Sequence, residues 1–253
     1  MNQPLRDRVA IVTGASSGIG KGIAEAFARA GARTLLVARS ANKLEALAKT
    51  LTREGATAFA APCDVTREEE VGLLFKRGTD TWGRVDIVVN NAGVASGTAT
   101  EDVTLAHWND VLAINLTSVF LMSREAVRTM KAQSPQGGRI INMGSVSAKT
   151  PRPDSIAYTA TKHAIQGMTH QLTMDGRNHG IVASVIHPGA TLSSFTAQRG
   201  RTSAGPGATA DDYVMAADDV ARVALLMATL PPEVNLYEAT ILPNTMRSFI
   251  GRG

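Results

Sequence analysis

One cysteine, Cys63, stands in 253 residues, and a single thiol excludes an internal disulfide and any cysteine-built zinc site. A chain that forgoes disulfides suits a reducing compartment. Aromatic residues are scarce at 4%, which leaves few side chains to stack on nucleic-acid bases. The formal net charge is a modest +4, and Arg29, Arg33, Arg39, Lys43, Lys49 and Arg53 alternate with acids, so they read as a solvated surface. No apolar run is long enough to span a bilayer, and residues 1–7 lack the apolar core of a signal peptide. His107, His163, His170, His179 and His187 have no metal-ligand spacing with carboxylates or thiols, so they read as structural and no metal is expected. These absences point to a soluble, cytoplasmic protein that partners neither nucleic acid nor membrane. An apolar share of 44% with 19% charged residues is that of a globular chain long enough to bury a substantial core.

What is present is a repeated strand–helix pattern. Short apolar runs at 9–13, 34–38, 56–61, 86–89, 138–143, 181–186 and 239–242 read as buried strands. Helical patterns lie between them at 21–30, 42–54, 68–81, about 105–131, around 158–162 and 217–229. Gly31, Gly55 and Gly83 stop the first three helices. The helix at 105–131 is apolar nearly all round, which predicts burial, in part against another subunit. No repeat, low-complexity segment or linker divides the chain. Alternating βα units with short connections predict an α/β fold: one domain over 1–253, a doubly wound parallel sheet with helices on both faces. The polar segment at 191–213, rich in Gly, Ser and Thr, reads either as a substrate lid or as a disordered loop.

Several stretches carry chemistry. Gly14-Ala15-Ser16-Ser17-Gly18-Ile19-Gly20 follows the first strand and opens the first helix. Glycines let a backbone approach a ligand closely, and free amides at a helix start attract anions, so this is a phosphate-binding loop or, failing that, a plain structural turn. Arg39-Ser40 follows the second strand where dinucleotide folds place an acid on the ribose 2′-hydroxyl or an arginine on a 2′-phosphate; here there is no acid, which favours NADP(H). Asn90-Asn91-Ala92-Gly93 ends the fourth strand, and its amides either make a turn or close over a cofactor. Asn115 sits in the apolar helix, where a buried amide needs partners. Pro151 and Pro153 keep the loop after Gly144-Ser145 out of helix and ladder, so Ser145 and Tyr158 can meet at one sheet edge. Tyr158 and Lys162 are four apart on a helix and share a face. A phenol titrates near about pH 10, too high for acid–base work at neutrality, and a neighbouring ammonium lowers it.

Together these motifs closely resemble the short-chain dehydrogenase/reductase family, the single-domain Rossmann type, over almost the full length. The resemblance implies that residues 13–20 form the cofactor loop, that Asp64 contacts the adenine with the Val65 amide beside it, and that Asn91, Ala92 and Gly93 belong to the signature after the fourth strand. It implies a catalytic tetrad of Asn115, Ser145, Tyr158 and Lys162. Pro188-Gly189 matches the turn near the nicotinamide, with Thr191 close by, and Ser193 stands where a threonine often contacts the carboxamide. The implied activity is hydride transfer between NADP(H) and a small-molecule ketone or secondary alcohol. Tyr158 is then the acid or base, Ser145 the oxyanion stabiliser, Lys162 the ribose ligand that tunes Tyr158, and Asn115 the holder of a relay water. Thr161 replaces a common serine. The tail at 235–243 lacks the glycine-rich ending of 3-oxoacyl thioester reductases and looks more like the carbonyl reductase and 3-hydroxy acid dehydrogenase branch. Relatives imply a homo-oligomer, a dimer or a homotetramer. The alternatives are a 3-oxoacyl thioester reductase, an NADP(H)-binding sensor with little turnover, and a nucleotide-sugar epimerase or dehydratase, for which few residues follow Lys162.

Overall fold

The computed structural model describes residues 3–192, 214–244, 246 and 249. Seven strands form one sheet: β1 Val9–Thr13, β2 Arg33–Ala38, β3 Ala58–Pro62, β4 Ile87–Asn90, β5 Gly138–Met143, β6 Ile181–Pro188 and β7 Glu238–Ile241. Among the described residues the helices are α1 Gly18–Arg29, α2 Ala41–Arg53, α3 Glu68–Trp82, α4 Leu105–Leu112, α5 Ser118–Ala132, α6 Ile156–Gly176 and α7 Ala217–Thr229. The spatial order is β3-β2-β1-β4-β5-β6-β7, and every neighbouring pair is parallel.

The two-residue period of a strand divides the core. Ala10, Val12, Leu36, Ile87, Val89 and Ile141 face one layer, where Ile23 and Phe27 of α1, Leu44 and Leu51 of α2 and Met227 of α7 fill the space. Ile11, Leu35, Val37, Val88 and Ile140 face the other, against Leu74 and Phe75 of α3 and Met122 and Met130 of α5. Helices thus cover both faces, as a parallel sheet requires. β1 feeds α1 on the first face and β4 leads toward α5 on the second. Chain direction across the sheet reverses between these neighbours, and the crevice beyond their carboxyl ends is where such sheets bind ligands.

Three sequence expectations are corrected. The third strand starts at Ala58 instead of Ala56, and β6 runs two residues past Ile186 to Pro188. More consequentially, the helix expected over 105–131, apolar nearly all round and buried in part against another subunit, is not α-helical throughout. A π turn at Ala113–Thr117 separates α4 from α5. Its outer side is open: Leu105 is 74% exposed and Phe120 48%. Apolar composition alone does not separate a face turned to the sheet from one turned outward.

Candidate active site

A cleft of about 550 Å³ lies at the carboxyl ends of β1 to β4. Its floor is the loop between β1 and α1, from which Gly14, Ser16, Ser17, Gly18 and Ile19 line it. Gly14 has φ +68°, and a Cβ there would stand 2.6 Å from Asn91 Nδ2. Gly20 is not in the wall; it backs the loop, where a Cβ would lie 2.3 Å from Asn91 Nδ2 and 2.4 Å from the Gly14 carbonyl oxygen. α1 begins without a side-chain cap and without an acid in its first turn. Its first amides therefore remain free donors at the positive end of the helix.

Arg39 and Ser40, both exposed, form the rim beyond β2. Asp64 and Val65 line the cleft from the end of β3. The Asp64 carboxylate accepts from the Thr66 hydroxyl at 2.7 Å and the Thr66 amide at 3.0 Å. Those two hydrogen bonds, helped by the charges of Arg39 and Arg67, hold its carboxyl below the usual range. The Asp64 amide in turn donates to Glu70 at 2.8 Å, which fixes the turn. Cys63, which is buried, also touches the cleft, but burial pushes its thiol up to about 12, so it is unreactive at neutral pH.

Asn91, Ala92 and Gly93 form the opposite wall. Thr13 holds them: its buried hydroxyl donates to the Val89 carbonyl and accepts from the amides of Asn91 at 2.9 Å and Ala92 at 3.0 Å. The Asn91 side chain donates to the Thr13 carbonyl at 3.0 Å, so that amide braces the loop instead of closing over the cleft. Asn90 points into the core, donating to Asn142 at 2.8 Å and Ser123 at 3.1 Å.

Past Gly93 the cleft is lined by Val94 and by Asp110, Ala113 and Ile114, and Asn115, next in the chain, makes the connection to the remaining predicted residues. Its buried side chain accepts from the Val94 amide at 2.7 Å and donates to the Val94 carbonyl at 2.9 Å. It also lies 3.5 Å from the Thr161 hydroxyl on α6. Both ends of the amide serve the loop after β4, and the π turn supplies the widened backbone that aims it there.

Ser145, Tyr158 and Lys162 are outside the wall of the cleft and gather around the carboxyl end of β5. Lys162 is buried, and its Nζ donates to the Met143 carbonyl at 2.7 Å, two residues before Ser145. Burial lowers its ammonium to about 8. The same Nζ is 5.5 Å from the centroid of the Tyr158 ring. Tyr158 itself is half-buried. The Ser145 oxygen accepts from the Ser147 amide at 3.1 Å, which leaves the hydroxyl proton free to donate elsewhere. α6 packs against the short turn Val146–Ala148 that follows Ser145.

Pro188 closes β6, and the Gly189 amide donates to the Ile241 carbonyl at 2.8 Å. Thr191 donates to the Gly189 carbonyl at 3.1 Å and bridges to Met215. Ser193, and the predicted lid from that residue to 213, lie outside the described residues. No group of three or more His, Cys, Asp or Glu able to hold a metal occurs among the described residues. No helix among them is long and apolar enough to cross a membrane. Sequence reasoning missed Thr66, the Asn90–Asn142 pair and the bracing of the loop after β4 by Thr13, because single hydroxyls and amides carry no spacing signal until the strands are placed side by side.

Residues 8–204 match the family model described as short chain dehydrogenase. A protein of Streptomyces violaceoruber assigned as ketoacyl reductase 1 of the granaticin polyketide synthase is 39% identical over 72% of the chain and 66% of its own length. An uncharacterized oxidoreductase of Staphylococcus aureus is 32% identical over 94% of the chain and 98% of its own. Among solved structures, a metagenomic short-chain oxidoreductase in complex with NADP superposes with a TM-score of 0.81 at 30% identity, covering 95% of this chain and 99% of that one. An alcohol dehydrogenase of the archaeon Thermococcus sibiricus, complexed with 5-hydroxy-NADP, gives 0.83 at 27% identity over 94% and 97%.

Proposed function

We propose, because the chain belongs to the short-chain dehydrogenase family, that it moves hydride between NADP(H) and a ketone or secondary alcohol. The observation that carries this reading is the buried Lys162, one helical turn beyond Tyr158 and bonded to the carbonyl of Met143 beside Ser145.

The cleft residues fit a phosphorylated dinucleotide. The uncapped start of α1 suits a pyrophosphate, and the cradle over Gly14 and Gly20 has no room for side chains. Arg39 with Ser40 suits a 2′-phosphate, and the absence of an acid at the end of β2 removes the partner of a free 2′-hydroxyl. Asp64 and Val65 suit the adenine edge. That two structural relatives are complexed with NADP and 5-hydroxy-NADP supports the same choice here. When bound, NADPH supplies the hydride. Tyr158 then gives its phenolic proton to the carbonyl oxygen of the substrate. Ser145, whose oxygen already takes the Ser147 amide, donates to the same oxygen and positions it. The charge of Lys162 stabilises the tyrosinate left behind, and in alcohol oxidation Tyr158 starts as that base. Thr191 would face the nicotinamide end with Pro188 and Gly189.

Replacing Tyr158 by Phe removes the proton donor alone. Turnover falls by about 10²–10⁴-fold while NADPH affinity, read by fluorescence titration, is kept. Retained turnover overturns the assignment. The granaticin relative favours a second reading, a 3-oxoacyl thioester reductase. A higher kcat/KM for a 3-oxoacyl thioester than for simple ketones selects it. The exposed apolar Leu105 and Phe120 on α4 and α5 support a homo-oligomer, and the buried unpaired Cys63 is in keeping with a reducing, cytoplasmic setting.

A further inference from the structure

We infer that His187, at the end of β6, is a positioning residue for Ser145: its neutral ring accepts the Ser145 amide at Nδ1 and so sets the backbone from which the catalytic hydroxyl projects. The ring is fully buried. Nδ1 lies 3.2 Å from the Ser145 amide nitrogen and 2.9 Å from the Ser145 carbonyl oxygen. One ring nitrogen cannot accept from the first and donate to the second in the same tautomer. The carbonyl already has a donor, the Ala148 amide at 2.9 Å. The amide belongs to a residue only 7% exposed, and His187 is the partner it has. With the carbonyl already supplied by Ala148 and the amide otherwise unpaired, the acceptor form of Nδ1 is the one the site needs. The proton then sits on Nε2, a buried atom with no partner among the described residues. Gly144 makes the arrangement possible: a Cβ there would stand 2.5 Å from His187 Nδ1 and 2.7 Å from Cε1.

The groups that face the ring come from three other elements: Lys149 after the Ser145 turn, Lys162 of α6 and Glu238 of β7. Burial, aided by the two lysines and opposed by the short contact with the Ser145 carbonyl and by Glu238, keeps the imidazole below its ordinary value and hence neutral at pH 7. Protonation would consume the Nδ1 lone pair, release the Ser145 amide and move the hydroxyl. An error of about 1 Å in such a group costs on the order of 100-fold in rate.

This inference rests on the proposed hydride-transfer reading, and the tests separate the two. With a ketone that the wild type reduces, His187→Leu lowers kcat about 10- to 100-fold and leaves the Kd for NADPH unchanged. His187→Asn, whose side-chain oxygen can take the place of Nδ1, restores most of the rate. The acid limb that His187 protonation gives the wild-type kcat profile is absent from His187→Asn. Gly144→Ala, which displaces the ring without removing it, reproduces the loss. Independently of activity, nitrogen NMR of the histidine-labelled protein, assigned with His187→Asn, shows a neutral ring protonated on Nε2 at pH 7. A ring protonated on Nδ1, or a His187→Leu variant with wild-type kcat, overturns the inference while the hydride-transfer reading stands. Wild-type turnover in Tyr158→Phe overturns that reading and leaves the tautomer result intact.

Discussion

In the proposed reading, cofactor choice turns on Arg39. It stands exposed at the rim of the cleft, where a guanidinium meets a 2′-phosphate with matched charge and fork geometry. Charge-assisted hydrogen bonds of this kind are worth about 1.5–3 kcal/mol. Arg39→Asp should therefore shift the ratio of kcat/KM for NADPH over NADH downward by about 10- to 100-fold, and an unchanged ratio in steady-state kinetics refutes the role. Lys162 gives a pH prediction. Its folded value of about 8 lies below the ordinary 10.5 because burial disfavours the cation. Below about pH 8 the lysine is charged in both folded and unfolded chains, and the full cost of burying it is present. Between about 8 and 10.5 the unfolded chain binds more protons, so this residue's contribution to stability rises with pH and levels off above 10.5. The difference in urea-measured unfolding free energy between wild type and Lys162→Met, without cofactor, should be flat near neutrality and increase through that window. A difference that stays constant to pH 10 contradicts the burial of a titrating ammonium.

At the scale of elements, the unit of β1, its glycine loop and α1 was almost fully legible. A buried apolar run followed by three glycines admits few backbones, and β1 lies at Val9–Thr13 as the pattern requires. What could not be read was the division of labour inside the loop, where Gly14 lines the cleft and Gly20 supports it from behind. Gly20→Ala therefore meets backbone: the Gly14 carbonyl stands 2.4 Å from the new carbon and cannot rotate away. Overpacking of this kind costs about 1–3 kcal/mol, and relief requires moving the phosphate loop. The expected result is a lower urea midpoint together with weakened NADPH binding; wild-type affinity would show that the loop tolerates the shift. The π turn in the α4–α5 stretch was illegible for a related reason. Apolar periodicity reports which residues avoid water, whereas Asn115 is aimed by one widened turn at Val94, 21 positions away in sequence.

For the whole molecule, the parallel order β3-β2-β1-β4-β5-β6-β7 sets the loop after β1, Arg39, Asp64, Asn91 and Ser145 at the carboxyl edge of one sheet, and α6 adds Tyr158 and Lys162. The alternation of strands and helices made that edge foreseeable, since each βα turn must emerge there. The contacts between turns were not foreseeable. Thr13 reaching Asn91, and His187 reaching Ser145, depend on which strands are neighbours and on their register. The histidine read from sequence as merely structural lies against the serine proposed to hold the substrate oxygen. The account as a whole stands on hydride passing from the reduced cofactor to a carbonyl carbon. The direct measurement supplies NADPH deuterated at the transferable position, with a panel of ketones, aldehydes and 3-oxo esters, and follows the label by mass spectrometry. The account predicts an alcohol product with deuterium on the former carbonyl carbon, formed by the wild type and not by Tyr158→Phe. Tight NADPH binding with no labelled alcohol from any member of the panel would contradict it.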